Sequence, residues 1–166
     1  MIIIETSRLI IRQFESQDIE AIFKLNSIPE VLTYIPGAAM TKLAQAEQIL
    51  NDVILNSYAQ RGYGRWAVEH KADGEVIGFC GPKYVEEFGE IELGYRYLPQ
   101  YWRQGFAVEA GTAVLSVFDQ YEINEVIALI LNGNKGSEAV ATKLGMQQRG
   151  KDKFMGHIVN VFHKQL

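Results

Sequence analysis

The sequence predicts an α/β (α+β) fold, a mixed and mostly antiparallel central sheet of about seven strands with helices packed against it. Three observations carry this expectation. Seven short segments are rich in β-branched residues or alternate with a period of two. A strand, a helix and a second strand follow one another between residues 90 and 131, the pattern of a parallel crossover. The hairpins before and after that unit read as antiparallel, so the sheet as a whole is mixed.

Arg8 to Phe14 (RLIIRQF) is the first predicted strand. Ser16 can cap a helix running through Ile19, Ile22 and Phe23, with Asp18 and Glu20 in its favourable first turn. Pro29 suits the first turn of another short helix, and Pro36-Gly37 is a break. From Thr41 to Gln60 the apolar positions Leu43, Ala46, Leu50, Val53 and Ile54 recur at helical spacing, and Gly62 and Gly64 end that region. Arg65 to His70 alternates, with Trp66 and Val68 on one face. The turn Ala72-Asp73-Gly74 leads it back into Glu75 to Cys80 as a hairpin.

Glu90 to Leu98 (EIELGYRYL) gives the clearest period of two. Ile91, Leu93, Tyr95 and Tyr97 share one face, and Glu90, Glu92 and Arg96 share the other. After Pro99 comes a helix with Ala107, Ala110, Val114, Val117, Phe118 and Tyr121 along one stripe. Glu125 to Leu131 (EVIALIL) is a buried strand. A short helix from about Gly136 to Leu144 follows, closed by Gly145, and two final strands fit Met146 to Lys153 and His157 to Lys164.

Composition narrows the function. A chain of 166 residues fits one domain, expected to span residues 1–166, and 48% apolar with 22% charged residues excludes disorder as the main state. The lone Cys80 can form no internal disulfide, and the longest apolar run, Val126 to Leu131, is too short to cross a bilayer. The N-terminus has no basic leader, and Glu5 interrupts its apolar stretch. Lys plus Arg is 16 against 20 Asp plus Glu, a net charge of -4, which disfavours nucleic acid as the main partner. The expectation is a cytoplasmic protein, with neither nucleic acid nor membrane as partner.

The stretch Trp102-Arg103-Gln104-Gly105-Phe106-Ala107 lies between an alternating strand and an amphipathic helix. The first N–H groups of a helix have no internal partners, and the helix dipole favours an anion there. Gly105 permits close backbone approach or a positive φ. An amide nest of this kind can hold a pyrophosphate. An ordinary strand-to-helix turn, with Gly105 only relieving strain, fits the local pattern equally well. The dinucleotide fingerprint needs three glycines where this loop has one. In Gly133 to Ser137 (GNKGS) the lysine precedes the second glycine, so it is not a Walker loop. His70, His157 and His163 are scattered and show no metal-ligand spacing, so no metal is expected. Cys80 reads as a small apolar group in a strand.

Further segments fall in a telling order: Thr6-Ser7-Arg8-Leu9-Ile10-Ile11-Arg12, Pro29-Glu30-Val31, and Val76-Ile77-Gly78-Phe79-Cys80-Gly81. Glu92-Leu93-Gly94-Tyr95, Leu98-Pro99-Gln100-Tyr101-Trp102, Asn134 with Ser137, and Lys143-Leu144-Gly145 complete it. In this order and spacing, over nearly the whole chain, they resemble the GNAT (Gcn5-related N-acetyltransferase) superfamily. Within it they resemble the bacterial ribosomal-protein-alanine acetyltransferase-like branch. There are departures. Trp102 stands where the superfamily loop commonly has Arg or Gln, Arg103 stands where the branch often has glycine, and Met146 replaces a usual phenylalanine. Gly133 and Gly136 loosen a loop that is usually stiffer.

The resemblance implies the acyl-CoA N-acyltransferase fold, with helices on both sheet faces, and an acetyl-CoA-dependent N-acetyltransferase acting on a primary amine. The acceptor would be a protein N-terminus or a small amine, and the protein a monomer or homodimer. The resemblance places the CoA pyrophosphate on the amides of Arg103, Gln104, Gly105, Phe106 and Ala107. It places the pantetheine arm along free backbone groups near Tyr97 and Leu98, where two strands splay, with Asn134 beside it. Attack on the thioester needs a neutral amine, so Glu92 or Glu90 is a candidate base; each can instead be a solvated carboxylate opposite Arg96. Ser137 can protonate the leaving thiolate or bond the pantetheine; it can instead cap the following helix. The alternative function is a non-catalytic acyl-CoA-binding module acting through a partner contact.

Overall fold

The computed structural model describes all 166 residues. Eight strands form one sheet: β1 (Ile2–Glu5), β2 (Leu9–Arg12), β3 (Trp66–His70), β4 (Val76–Val85), β5 (Glu90–Tyr97), β6 (Glu125–Leu131), β7 (Gln147–Phe154) and β8 (His157–Gln165). Their order is β1-β2-β3-β4-β5-β6-β8-β7. Every neighbouring pair is antiparallel except β5 with β6. The strand beyond the expected seven is β1, a short edge strand that pairs Ile4 with Ile11 and whose Ile3 and Ile4 pack on the core. With one partner and four residues, it carries little alternation for sequence reading to catch.

Helices cover both faces. On one lie α5 (Phe106–Leu115) and α6 (Lys135–Lys143), packed over the largest core cluster. Trp66, Val68, Leu93 and Tyr97 point into that cluster with Ala110, Val114 and Leu144, so the alternation in β3 and β5 is reproduced. Gly111 lets α5 and α6 close on each other, since a Cβ there would stand 2.7 Å from a Leu144 methyl. On the other face lie α1 (Ile19–Leu25), α2 (Pro29–Leu32), α3 (Leu43–Ile49) and α4 (Asn56–Arg61). Ile22, Ala46, Leu50 and Ile54 meet Ala67 and Val76 there. No helix is long and apolar enough to cross a membrane.

Several boundaries differ from expectation for physical reasons. Ser16 does not cap α1: residues Ser16–Asp18 form a 3₁₀ turn, and the buried Asp18 carboxylate takes the Glu15 N–H and both ends of the Arg12 guanidinium. The helix expected over 41–60 is α3 and α4 joined by a π-helical stretch, Leu50–Leu55. Its buried residues Ala46, Leu50 and Ile54 recur every four residues. That spacing drifts by about 40° per step in a 3.6-residue helix, and the wider π turns pull it back toward the core. Val53, expected inside, is 48% exposed. β4 runs on past Cys80 to Val85. Pro82 is tolerated because β3 has ended by then, leaving that side of β4 without a strand partner. The helix after Pro99 ends at Leu115, and Val117 and Phe118 are buried from a separate 3₁₀ turn.

Candidate active site

The parallel pair is a fork. β5 and β6 share one ladder pair, Glu92 with Ile127, and beyond it Leu93–Tyr97 runs without a β6 partner. Strand edges left in this way hold polar groups that need partners. β5 leads into α5 and β6 into α6, so both helices begin at the open end of the fork and turn their unpaired N–H groups toward it. Tyr95 spans the two sides, its O–H donating to the Ser137 carbonyl at 2.8 Å.

The loop before α5 has the backbone of an anion nest. Arg103 has φ +59° and Gly105 φ +81°, so two residues, with Gln104 between them, turn left-handed before the helix starts. The position of Arg103, where the resembling branch often has glycine, takes a left-handed conformation that glycine adopts without strain. Arg8 braces the loop. Its guanidinium donates to the Gln104 carbonyl at 2.9 Å and to the Glu109 carboxylate at 2.7 Å, and stacks 4.2 Å from the Phe106 ring centroid. Glu109 also takes the Thr6 hydroxyl at 2.6 Å and the Arg8 N–H at 3.1 Å. Burial pushes the Glu109 carboxyl up, and these bonds outweigh it, leaving it below the ordinary carboxylate range. Phe106 is buried against His70 and Tyr101, while Arg103, Gln104 and Gly105 are exposed. The Arg103 side chain makes no hydrogen bond or ion pair. Ala107 is half-buried, and the buried side of α5 begins with Phe106.

The expected free backbone at Tyr97 and Leu98 is filled. The Trp102 indole N–H donates to the Tyr97 carbonyl at 2.8 Å. The Leu98 N–H donates to Ile77, and the Leu98 carbonyl accepts from Tyr101. Trp102 therefore closes the end of the strand, and the unpaired stretch lies before Tyr97. The Tyr97 side chain points into the core, where its hydroxyl has no partner.

Asn134 and Ser137 are joined at the start of α6. Asn134 is the cap, its Oδ1 accepting from the Ser137 N–H at 3.3 Å, and its Nδ2 donates to the Ser137 hydroxyl oxygen at 3.0 Å. The capping role weighed for Ser137 thus falls to Asn134, and the Ser137 O–H keeps its own proton free to donate. Burial holds the Tyr95 phenol well above its usual value, so it stays protonated.

The two candidate carboxylates part company. Glu90 lies two residues before the ladder pair, away from the fork, and takes both Nη atoms of Arg149 at 2.7 Å. Those bonds hold its carboxyl below the usual range, which weakens it as a base. Glu92 stands at the fork itself, with Oε2 engaged by Arg65 and Oε1 without a partner. Neither faces Arg96 as a pair: Arg96 bonds Asn26 and the Leu25 carbonyl. Sequence reading gave no site role to Arg65 or Arg8. The signal available for Arg65 was the glycine at 94, because the guanidinium lies where a Cβ at Gly94 would stand. Cys80 is fully buried, its thiol pushed up to about 12 by burial, and so is unreactive.

The geometry can be set beside other proteins. The family model for the acetyltransferase (GNAT) domain matches residues 8–147. The uncharacterized N-acetyltransferase YoaA of Bacillus subtilis (strain 168) is 33% identical over 150 residues, covering 89% of this chain and 84% of the relative. A GNAT-family acetyltransferase structure from Bacillus anthracis superposes with a TM-score of 0.79 at 27% identity, over 98% of this chain and 96% of its own. RimL, a ribosomal L7/L12 α-N-protein acetyltransferase solved with coenzyme A, shares the fold with a TM-score of 0.78 at 18% identity, over 100% and 98% of the two chains. A fork between parallel strands, two helix N-termini at its mouth and a family match that runs from β2 into β7 agree: the chain belongs to the GNAT acetyltransferase family.

Proposed function

We propose that this protein transfers an acetyl group from acetyl-CoA to a primary amine, on a protein N-terminus or a small molecule. The observation that carries the reading is the fork, whose unpaired β5 backbone is followed, after one turn closed by Trp102, by the left-handed amide nest at Arg103–Gly105. The amides from Arg103 to Ala107 hold the pyrophosphate at the α5 N-terminus. The open backbone from Leu93 to Arg96, not the closed ends at Tyr97 and Leu98, bonds the pantetheine arm, with Asn134 opposite. Bound acetyl-CoA supplies an activated thioester carbonyl. Glu92 Oε1 takes the ammonium proton of the acceptor, directly or through a water. The Ser137 O–H donates to the departing sulfur. The ribosomal-protein branch suggested by the sequence favours a protein N-terminus.

Calorimetry with CoA and an acceptor screen read as free thiol test this. Wild type should bind CoA and release thiol with an amine. Replacing Gly105 by valine should abolish binding, because φ +81° excludes a branched side chain and the side chain would cover the amides. No CoA binding by wild type at millimolar ligand would overturn the reading. Binding without turnover on any amine would favour the non-catalytic acyl-CoA module instead.

A further inference from the structure

The helix α1 face of the fork carries more positive charge than it neutralises. Arg65 crosses a trough made by two glycines: Gly94 at the fork and its cross-strand partner Gly81 have no side chains to block it. Its guanidinium reaches the Glu92 carboxylate and the Gly81 and Glu92 carbonyls. Arg96, two residues further along the open strand, lies on the same face. The Arg65 and Arg96 guanidinium carbons stand 5.7 and 5.3 Å from the centre of the same Phe79 ring. Lys83, the cross-strand partner of Glu92, adds a third cation.

The carboxylate that offsets these three is Glu92, since Glu90 is taken by Arg149. Arg96 has no carboxylate. Its Nη1 donates to Asn26 Oδ1 at 2.7 Å and to the Leu25 carbonyl at 3.3 Å, and its Nε and Nη2 donate to nothing. Neutral acceptors orient a guanidinium without cancelling its charge. Burial, and then the nearby Arg65 charge, lower the Arg96 pKa to about 10, the mark of a cation held against its preference. The segment after α1 roofs this ground. Asn26 holds Arg96 from one side, the Met40 N–H donates to the Asn26 carbonyl, and the Tyr34 ring lies 3.7 Å from a Cβ position at Gly133 across the fork.

We infer that the acceptor amine carries a carboxylate within a few bonds of its nitrogen, bound by the free edge of Arg96 beside Arg65. This rests on the acetyltransferase reading above. A planar guanidinium with two free donors suits a carboxylate and repels a second ammonium. The class is therefore an aminocarboxylate, a free amino acid or an acidic N-terminal peptide, and not a polyamine or another polycation. The amine of such a molecule stands near Glu92 Oε1 while its carboxylate lies on Arg96.

Matched acceptor pairs test this on the intact protein. L-alanine against L-alaninamide probes an α-carboxylate, and Asp-Ala-amide against Asn-Ala-amide probes a side-chain carboxylate. At least one acid should exceed its neutral partner by about 10–100-fold in kcat/KM, the worth of a hydrogen-bonded charge, and the pair that does so identifies the source. R96Q should bring that ratio close to one, and R96K should leave it in between, with thermal melts confirming that both variants fold. If turnover is too slow to read, equilibrium binding of the same pairs to CoA-loaded wild type makes the same comparison. Equal or better use of both neutral partners, or preference for spermidine, overturns the inference while CoA binding leaves the acetyltransferase reading standing. Loss of CoA binding itself would strike that reading instead.

Discussion

At the scale of single residues the site depends on backbone conformation as much as on side-chain chemistry. Arg103 holds φ +59° on an L-residue, a conformation that costs about 1–2 kcal/mol and that glycine adopts freely. Arg103→Gly should therefore leave the protein as stable or stabilise it by up to about 1 kcal/mol, once the greater flexibility of unfolded glycine is counted. Its CoA affinity should fall, because the unpaired guanidinium beside the nest is gone. A melt and a CoA titration on one preparation separate the two effects. Glu92→Gln keeps shape and removes basicity, so kcat/KM should drop by about 10²–10⁴ if Oε1 is the sole base. The deficit should shrink at high pH, where the acceptor loses its proton unaided. A pH-independent deficit would mean that Glu92 acts only by anchoring Arg65.

Elements place these residues by how they begin and end. Asn134 caps α6 through a bond to the Ser137 N–H, and caps of this kind are worth about 1 kcal/mol. Asn134→Ala should lower stability by that amount, measured by urea unfolding, and should also release the Ser137 hydroxyl that Nδ2 holds. Ser137→Ala leaves the cap acceptor in place. It should melt close to wild type yet turn over more slowly, with kcat falling more than KM rises if the hydroxyl serves the leaving sulfur. Equal stability losses from both variants, with activity kept, would reduce the pair to a helix start. The same logic explains Trp102. It closes the end of β5 by donating to the Tyr97 carbonyl, which turns the chain into the loop without needing the family's usual Arg or Gln there.

On the scale of the whole molecule, long-range ion pairs tie the two ends of the chain to α5 and to the central strand β5. Arg8 joins the N-terminal segment to α5, and Arg149 joins β7 to β5 across the two strands, β6 and β8, that lie between them. The Glu90 carboxyl is depressed by Arg149. A depressed carboxyl stabilises the fold above its unfolded value of about 4.3, and the contribution is lost as pH falls through the folded value. Arg149→Met should thus be less stable than wild type at neutral pH, by no more than about 1 kcal/mol for so exposed a pair, and the two should converge in acid below about pH 4. Urea midpoints measured from neutral to acid pH check this; a constant gap would point to lost packing of the arginine stem.

Much of this molecule was legible in its residues. The alternation from Glu90 to Tyr97, the buried run from Glu125 to Leu131 and the glycine at 105 already mark a crossover ending in a helix start. These are local signals, because a period of two, a period of 3.6 and a positive φ are written in neighbouring residues. What tertiary structure alone decided is who meets whom. Nothing near Glu92 in sequence names Arg65, 27 residues away, as its partner, and nothing near Glu90 names Arg149, 59 residues away. The filling of the Tyr97 carbonyl, the cap role of Asn134 and the unpaired edge of Arg96 likewise depend on where folded side chains come to rest. Charge and hydrogen bonding act through space, so a sequence shows which groups are present, and the fold decides which of them remain free to act.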